Sequence, residues 1–286
     1  MKSFKIDWLV IGSITKDKIF SLGQSIDKLG GVPMYGGLTL KQLGQSVAVC
    51  TRIRDEDRKL LRIIRENSIG LFIGYSRDTT SFHNYLDGNN RRQKMLASAD
   101  TIGLDIVEKA IDEVCPDFVL LGPLHPWDIS KDVFSFLGHS QCLVATDAQG
   151  LLRGEQNGWI EGEVSKNIDE LLFATDWLKV SSEEIRLLKS VTKLNEIDII
   201  EKYELKEIII TSSCRGGIIW SADASKVNFS AKIVENISDT TGAGDVFFSA
   251  YLVARVCMGK QLEESAKEAA IIAAEQVSGR HINVYL

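Results

Sequence analysis

The sequence predicts an α/β protein: a three-layer α/β/α sandwich with a mostly parallel sheet and a small β lid. Three observations carry that class. From residue 104 onward, short apolar strands alternate with amphipathic helices, a pattern that closes into a parallel sheet with helices on both faces. Residues 206–211 hold consecutive isoleucines, as a strand does when neither face meets water. Two segments, about 16–35 and 79–97, break the alternation and read as a separate small sheet covering one end.

In chain order, residues 7–12 (DWLVIG) form a buried strand ending in glycine, with Asp17 just past its end. Residues 16–35, with Gly30, Gly31 and Pro33, do not look like a core helix. Helical spacing begins at Gly37 and stops at Gly44, and 46–50 is the next strand. Residues 55–67 are amphipathic and helical, with Leu60, Leu61, Ile63 and Ile64 as the apolar stripe, and 71–75 is a strand. Residues 81–96 read as a hairpin whose polar turn is Asp87-Gly88-Asn89-Asn90. Helices at 104–114, 130–137, 167–173 and from 182 then alternate with strands at 117–121, 142–146, 177–180 and 206–211. Residues 217–221 and 227–234 fit antiparallel edge strands, and helices at 246–258 and 262–278 finish the chain. No repeat, low-complexity tract or proline-rich linker divides the chain, so residues 1–286 read as one core domain with its lid.

Composition bounds the function. An apolar fraction of 44% and a charged fraction of 25% are ordinary for a soluble globular protein. A net charge of −6 gives no electrostatic footprint for nucleic acid. No apolar run approaches the roughly 18 residues of a membrane span, and the N-terminus lacks a signal-peptide core, so a cytoplasmic protein is expected. The five cysteines are scattered without a CxxC pair, which suits thiols in a reducing compartment better than disulfides or zinc. GxxxxGK[ST], GxGxxG after the first strand, HExxH and GxSxG are all missing, and the four histidines are isolated.

What remains is Ser238-Asp239-Thr240-Thr241-Gly242-Ala243-Gly244-Asp245 running into the apolar segment that begins at Val246. Amides at a helix start have no partner within the helix and lie at the positive end of its dipole, and glycine lets an anion approach them closely. Gly242, Ala243 and Gly244 would therefore cradle a phosphate, with Asp245 placed to take a proton from an attacking hydroxyl. Alone, the same residues fit a glycine-rich turn whose aspartate complements the dipole. The other polar groups at predicted strand ends (Asp17, Asp147, Gln149, Ser181, Glu184 and Thr211 to Gly216) gather where open parallel sheets bind ligands.

The run from Asp239 to Asp245, with Ser249-Ala250 inside the following helix, resembles the C-terminal signature of the PfkB (ribokinase-like) carbohydrate kinases. Gly12-Ser13 with Asp17, then Gly30-Gly31, then Phe82-Asn84-Tyr85 through Arg91, then Thr211 to Gly216 resemble further landmarks in the family's order. The resemblance implies a ribokinase-like fold and transfer of a phosphoryl group from ATP, with Mg²⁺, to a hydroxyl of a sugar, sugar acid or cyclic polyol such as inositol. It implies Asp245 as general base, Gly242, Ala243 and Gly244 as anion hole, and Asp17, Gly30, Gly31 and Tyr35 around the acceptor. It implies Thr211, Ser213, Arg215 and Gly216 at the nucleotide. Glu184 would order Mg²⁺ through water, and Asp239 would sit where many members place a monovalent cation such as K⁺. A homodimer through the lid is also implied.

This chain departs from the pattern at Ser181, where the family's Asn-x-x-Glu has Asn, and at Ser213, where Thr-x-Gly-x-x-Gly has its first glycine. Val32-Pro33-Met34-Tyr35 after the paired glycines argues against ribose, because it lacks the Asn that ribose-specific members carry. A nucleoside kinase of the same fold and a catalytically silent sugar or nucleotide sensor stand as the alternatives.

Overall fold

The computed structural model describes residues 5–21, 23–87 and 90–285; the predicted turn residues Gly88 and Asn89 lie outside them. β1 (Trp8–Ile11) leads into the hairpin β2 (Thr15–Ser21) and β3 (Gln24–Gly30), then α1 (Val32–Gln42) and β4 (Val47–Ile53). A 3₁₀ segment (Asp55–Leu61) and α2 (Arg62–Glu66) precede β5 (Gly70–Tyr75), followed by β6 (Ser81–Asp87) and β7 (Asn90–Ala97). Next come α3 (Leu104–Val114), β8 (Phe118–Leu121), α4 (Lys131–Gly138), β9 (Leu143–Asp147), β10 (Arg153–Gln156) and β11 (Trp159–Gly162). α5 (Ile168–Phe173), β12 (Trp177–Ser181), α6 (Ser182–Thr192), α7 (Glu196–Tyr203) and β13 (Glu207–Thr211) continue the alternation. The chain ends with β14 (Gly217–Ser221), β15 (Lys226–Phe229), α8 (Ala243–Leu252) and α9 (Leu262–Val277).

Among the described residues nine strands form the main sheet in the order β15-β14-β13-β12-β9-β8-β1-β4-β5. The strands from β13 to β5 are parallel, and β14 and β15 are the antiparallel edge that the sequence predicts. Side-chain alternation along β1 sorts the two layers. Trp8 and Val10 join a core with Leu38 of α1, Phe248 of α8 and Ala266 of α9. Leu9 and Ile11 join the opposite core with Val107 of α3, Phe134 of α4, Leu171 of α5 and Ile199 of α7. The result is the expected α/β/α sandwich.

Six strands form the second sheet, in the order β10-β11-β7-β6-β2-β3. β2 runs parallel to β6, from Lys16 opposite Ser81 to Ser21 opposite Leu86, so the two predicted segments do pair. The sequence reading needs four corrections. The segment 16–35 is not all sheet: it ends at Gly30, and α1 begins at Val32, five residues before the expected Gly37. Gly31 at φ +89 turns the chain out of the sheet, and Pro33 starts the helix, where its missing N–H is harmless. Residues 153–162 add β10 and β11 to the small sheet, and α7 was not expected. Residues 55–67 wind mostly as 3₁₀ before a short α-helix.

Several backbone approaches at the carboxyl ends of β1 and β8 leave no room for a side chain. A Cβ on Gly122 would overlap the side chain of Val32, at the start of α1. Gly122→Ala is therefore expected to lower stability by about 1–3 kcal/mol, the usual effect of overpacking a rigid site. An unchanged denaturation midpoint at constant m-value would show that α1 can move aside.

Candidate active site

Val246 through Leu252 of α8 are buried, while the turn before them is half-buried and faces outward at the carboxyl edge of the sheet. Gly242 is the N-cap residue, at φ +74 and ψ −1, and no side chain caps the helix. The Ala243 amide turns back to the Thr240 carbonyl at 3.3 Å, and Val246 N–H makes the first helical bond, to the Gly242 carbonyl at 2.9 Å. The first-turn amides thus lie at the positive end of the helix without acceptors behind them in the helix. Only glycine fits at 242, because a Cβ would overlap the ring of Tyr35 as well as adopt a left-handed conformation.

Tyr35 is 1% exposed, in the first turn of α1, so it belongs to the core rather than to the small sheet. Its hydroxyl has no hydrogen-bond partner among the described residues. Burial and the charges of Asp239, Asp17 and Asp245 push the phenol well above its ordinary pKa, so it stays protonated. The charges of Asp17, on β2, and of Asp239 and Asp245, at the start of α8, are thus all felt at one ring.

Asp17 lies on β2 and is 7% exposed. A Cβ on Gly30 would stand 2.7 Å from its Oδ2, so that glycine makes room for the carboxylate. Asn84 of β6 lies on the same face, also buried, and accepts a hydrogen bond from Gln93 Nε2 at 3.0 Å. Arg153 Nη1 in turn donates to Gln93 Oε1 at 3.3 Å. The face of the small sheet turned toward the site is thus a row of polar side chains: Asp17, Asn84, Gln93 and Arg153.

Two lysines that the sequence reading missed complete the site. Lys179 on β12 is buried and donates to Asp147 Oδ2 at 2.6 Å. A Cβ on Gly244 would stand 3.2 Å from Lys179 Nζ, so this ammonium touches the glycine turn. Burial opposes its charge, but Asp147, Glu184 and Asp245 more than offset that and hold its pKa above the ordinary lysine value. The available signal was one lysine in the apolar strand DWLKV. Asp147 is therefore more than a turn residue.

The second, Lys28 on β3, has a side chain 5% exposed and donates to Asp239 Oδ2 at 2.5 Å. Asp239 Oδ1 accepts from the Thr241 amide at 2.9 Å and the Thr241 hydroxyl at 2.8 Å. Burial raises the Asp239 pKa, and these bonds outweigh it, so the carboxyl is held below the usual range. The monovalent cation expected at Asp239 does not fit this arrangement: a fixed ammonium already neutralises the carboxylate.

Ser181 takes over the helix-capping work of the expected Asn. Its hydroxyl accepts from Glu184 N–H at 3.1 Å, and Glu184 Oε2 accepts from Ser181 N–H at 2.7 Å, a full capping box. Glu184 thereby lies beside Lys179. Among the described residues no three His, Cys, Asp or Glu side chains converge as a metal cluster. One carboxylate beside a phosphate site fits a Mg²⁺ ion carried largely by phosphate oxygens and water. Thr211 to Gly216 also forms its turn: Ser212 N–H donates to the Gly216 carbonyl at 2.7 Å around a single 3₁₀ turn. Ser213 takes φ +51, a conformation suited to the family's glycine, and Ser213 and Arg215 are exposed at the rim. Ser213→Gly is expected to raise stability by up to about 1 kcal/mol, from relief of left-handed strain less the added chain entropy. A lower urea midpoint would mean that the serine side chain outweighs that strain.

Comparison with known proteins agrees with this fold. Residues 156–282 match the pfkB family of carbohydrate kinases. No curated protein matches the chain in sequence. Among solved structures, a pyrophosphate-dependent kinase in the ribokinase family, in a sulfate complex, is 24% identical, with 98% of this chain and 97% of that one covered at a TM-score of 0.83. A nucleoside kinase of Methanocaldococcus jannaschii, an archaeal member of the ribokinase family, is 18% identical over 99% and 95% of the two chains, at 0.75. Ribokinase from Thermotoga maritima is 19% identical over 96% and 93%, at 0.71. The chain thus has the ribokinase fold over nearly its whole length, and its residues 156–282 match the pfkB family in sequence.

Proposed function

We propose that the chain is a kinase that transfers a phosphoryl group to a hydroxyl of a small, neutral, polyhydroxylated acceptor, with cyclic polyols such as inositol the favoured class. One observation carries the reading. The uncapped start of α8 has the Lys179 ammonium against Gly244 and leads into Asp245, and Tyr35, packed against Gly242, feels the charges of both Asp245 and Asp17 of the small sheet. A phosphate and a polyol would meet there with a carboxylate between them.

On this reading Asp245 accepts the proton of the acceptor hydroxyl as its oxygen forms the new P–O bond. The bond from phosphorus to the donor's bridging oxygen breaks, and the leaving phosphate carries that electron pair away. The amides at Gly242, Ala243 and Gly244 and the ammonium of Lys179 stabilise charge on the transferring group. Mg²⁺, when bound with the donor near Glu184, supplies charge neutralisation on the phosphate oxygens. Asp17, with its two acceptor oxygens, holds neighbouring hydroxyls, and Asn84 extends the same face. The small sheet acts as a lid of the single domain and excludes water from the transfer. The five cysteines are all unpaired, which supports a reducing, cytoplasmic setting.

ATP is the first donor to test, with Thr211, Ser213, Arg215 and Gly216 beside its nucleoside end. Inorganic pyrophosphate is the second, favoured by the buried ammonium at the phosphate turn and by the fold's likeness to pyrophosphate-dependent kinases, one complexed with a pyrophosphate analogue and myo-inositol. Product formation with each donor, against inositols, sugars, sugar acids and nucleosides, tests the reading. Phosphorylated inositol or sugar is expected. Nucleoside phosphates would favour the nucleoside kinase, and binding without turnover would favour a silent sensor. Asp245→Asn should lower kcat at least about a thousandfold while acceptor affinity survives; near-normal turnover would remove Asp245 from its role. Asp17→Ala should act mainly on the acceptor KM, and an unchanged KM would count against it.

A further inference from the structure

We propose that the ammonium of Lys28 is the resident cation of the phosphate turn, holding Asp239 where an exchangeable monovalent ion would otherwise be needed, so that catalysis does not require K⁺. The inference deepens the kinase reading and rests on it. Its basis is the disagreement between an expected ion at Asp239 and the groups that occupy that place.

Lys28 reaches Asp239 across 211 positions of sequence, from β3 of the small sheet to the loop before α8. The pair is enclosed, with side-chain exposures of 5% and 13%. Both carboxylate oxygens of Asp239 are engaged: Oδ2 by Lys28, and Oδ1 by the Thr241 amide and hydroxyl. A cation at that carboxylate would have to share Oδ2 with a buried ammonium, whose like charge opposes it. The groups around Lys28 hold it in place. Asp17 is its direct cross-strand partner on the same face of the sheet. The Tyr285 ring lies 4.4 Å from Nζ, and Leu29 N–H donates to the Val284 carbonyl, so the C-terminal segment packs over the lysine stem.

The consequence is mechanical as well as electrostatic. Asp239 fixes Thr241, Thr241 leads into Gly242, and Gly242 sets the first turn of α8. Lys28 is therefore a positioning residue that ties the acceptor sheet to the phosphate turn through one carboxylate. An exchangeable ion would give the turn the same charge without that tie.

The experiment compares K⁺ with tetramethylammonium at equal ionic strength, by steady-state kinetics and by thermal melting. Wild-type turnover is expected to change by less than about twofold on adding K⁺, and its Tm not at all. Lys28→Ala is expected to lose about tenfold or more in turnover and to regain part of it with K⁺, with a Tm that rises only on K⁺ addition. Lys28→Arg should keep the wild-type indifference to K⁺. Activation of the wild type by more than about fivefold would overturn the proposal, whatever the variants do. So would a Lys28→Ala protein as active as the wild type, or one slowed but unresponsive to K⁺ in both measurements. If Lys28→Ala does not fold, the wild-type and Lys28→Arg arms still decide. A wild type inactive with every donor and acceptor would instead remove the kinase reading, and the melting arm would then test Lys28 alone.

Discussion

The turn from Asp239 to Gly244 is held from two sides by buried ammonium groups. Lys28 comes from the small sheet and grips Asp239, while Lys179 comes from the main sheet and lies against Gly244. Neither lysine could be buried alone; each is enclosed with a carboxylate, at 2.5 Å and 2.6 Å. Removing one partner of such a pair typically costs about 3–5 kcal/mol, because the other charge is left buried. The backbone between them has little freedom left, since Gly242 is pressed against the Tyr35 ring. A glycine-rich loop is flexible by composition, and this one is made rigid by what surrounds it. That rigidity is what a row of amides needs before it can stabilise charge better than water does.

Much of this was legible from sequence, for identifiable reasons. The parallel core followed from strand–helix alternation, and the phosphate turn from glycines set before an apolar helix, because both are local patterns. The small sheet was legible only as an interruption; its pairing, β2 with β6, joins segments about 65 residues apart and has no local signature. α1 was misplaced because Val32-Pro33-Met34-Tyr35 carries no polar face from which to read a helical period. That helix is buried all round at its start, and its moment says little. Lys28 and Lys179 were missed because a lysine in sequence reads as surface. Only the fold shows that both side chains point inward at carboxylates. Ser181 and Ser213 depart from the family pattern yet keep its local structure: serine caps α6, and Ser213 takes the left-handed turn at some cost in strain.

The charge balance of the site bears on how a donor could bind. The two buried ammoniums at the phosphate turn each bring a carboxylate with them. Both ammoniums are already matched, Lys28 by Asp239 and Lys179 by Asp147. The uncapped first turn of α8 adds roughly half a positive charge. A polyphosphate carries more negative charge than that half charge offsets, so part of it has to be neutralised as it docks. A divalent ion travelling on the phosphate oxygens does this, and one nearby carboxylate such as Glu184 suffices to orient it through water. The proposed Mg²⁺ is consistent with that need, since it brings positive charge to the turn together with the donor.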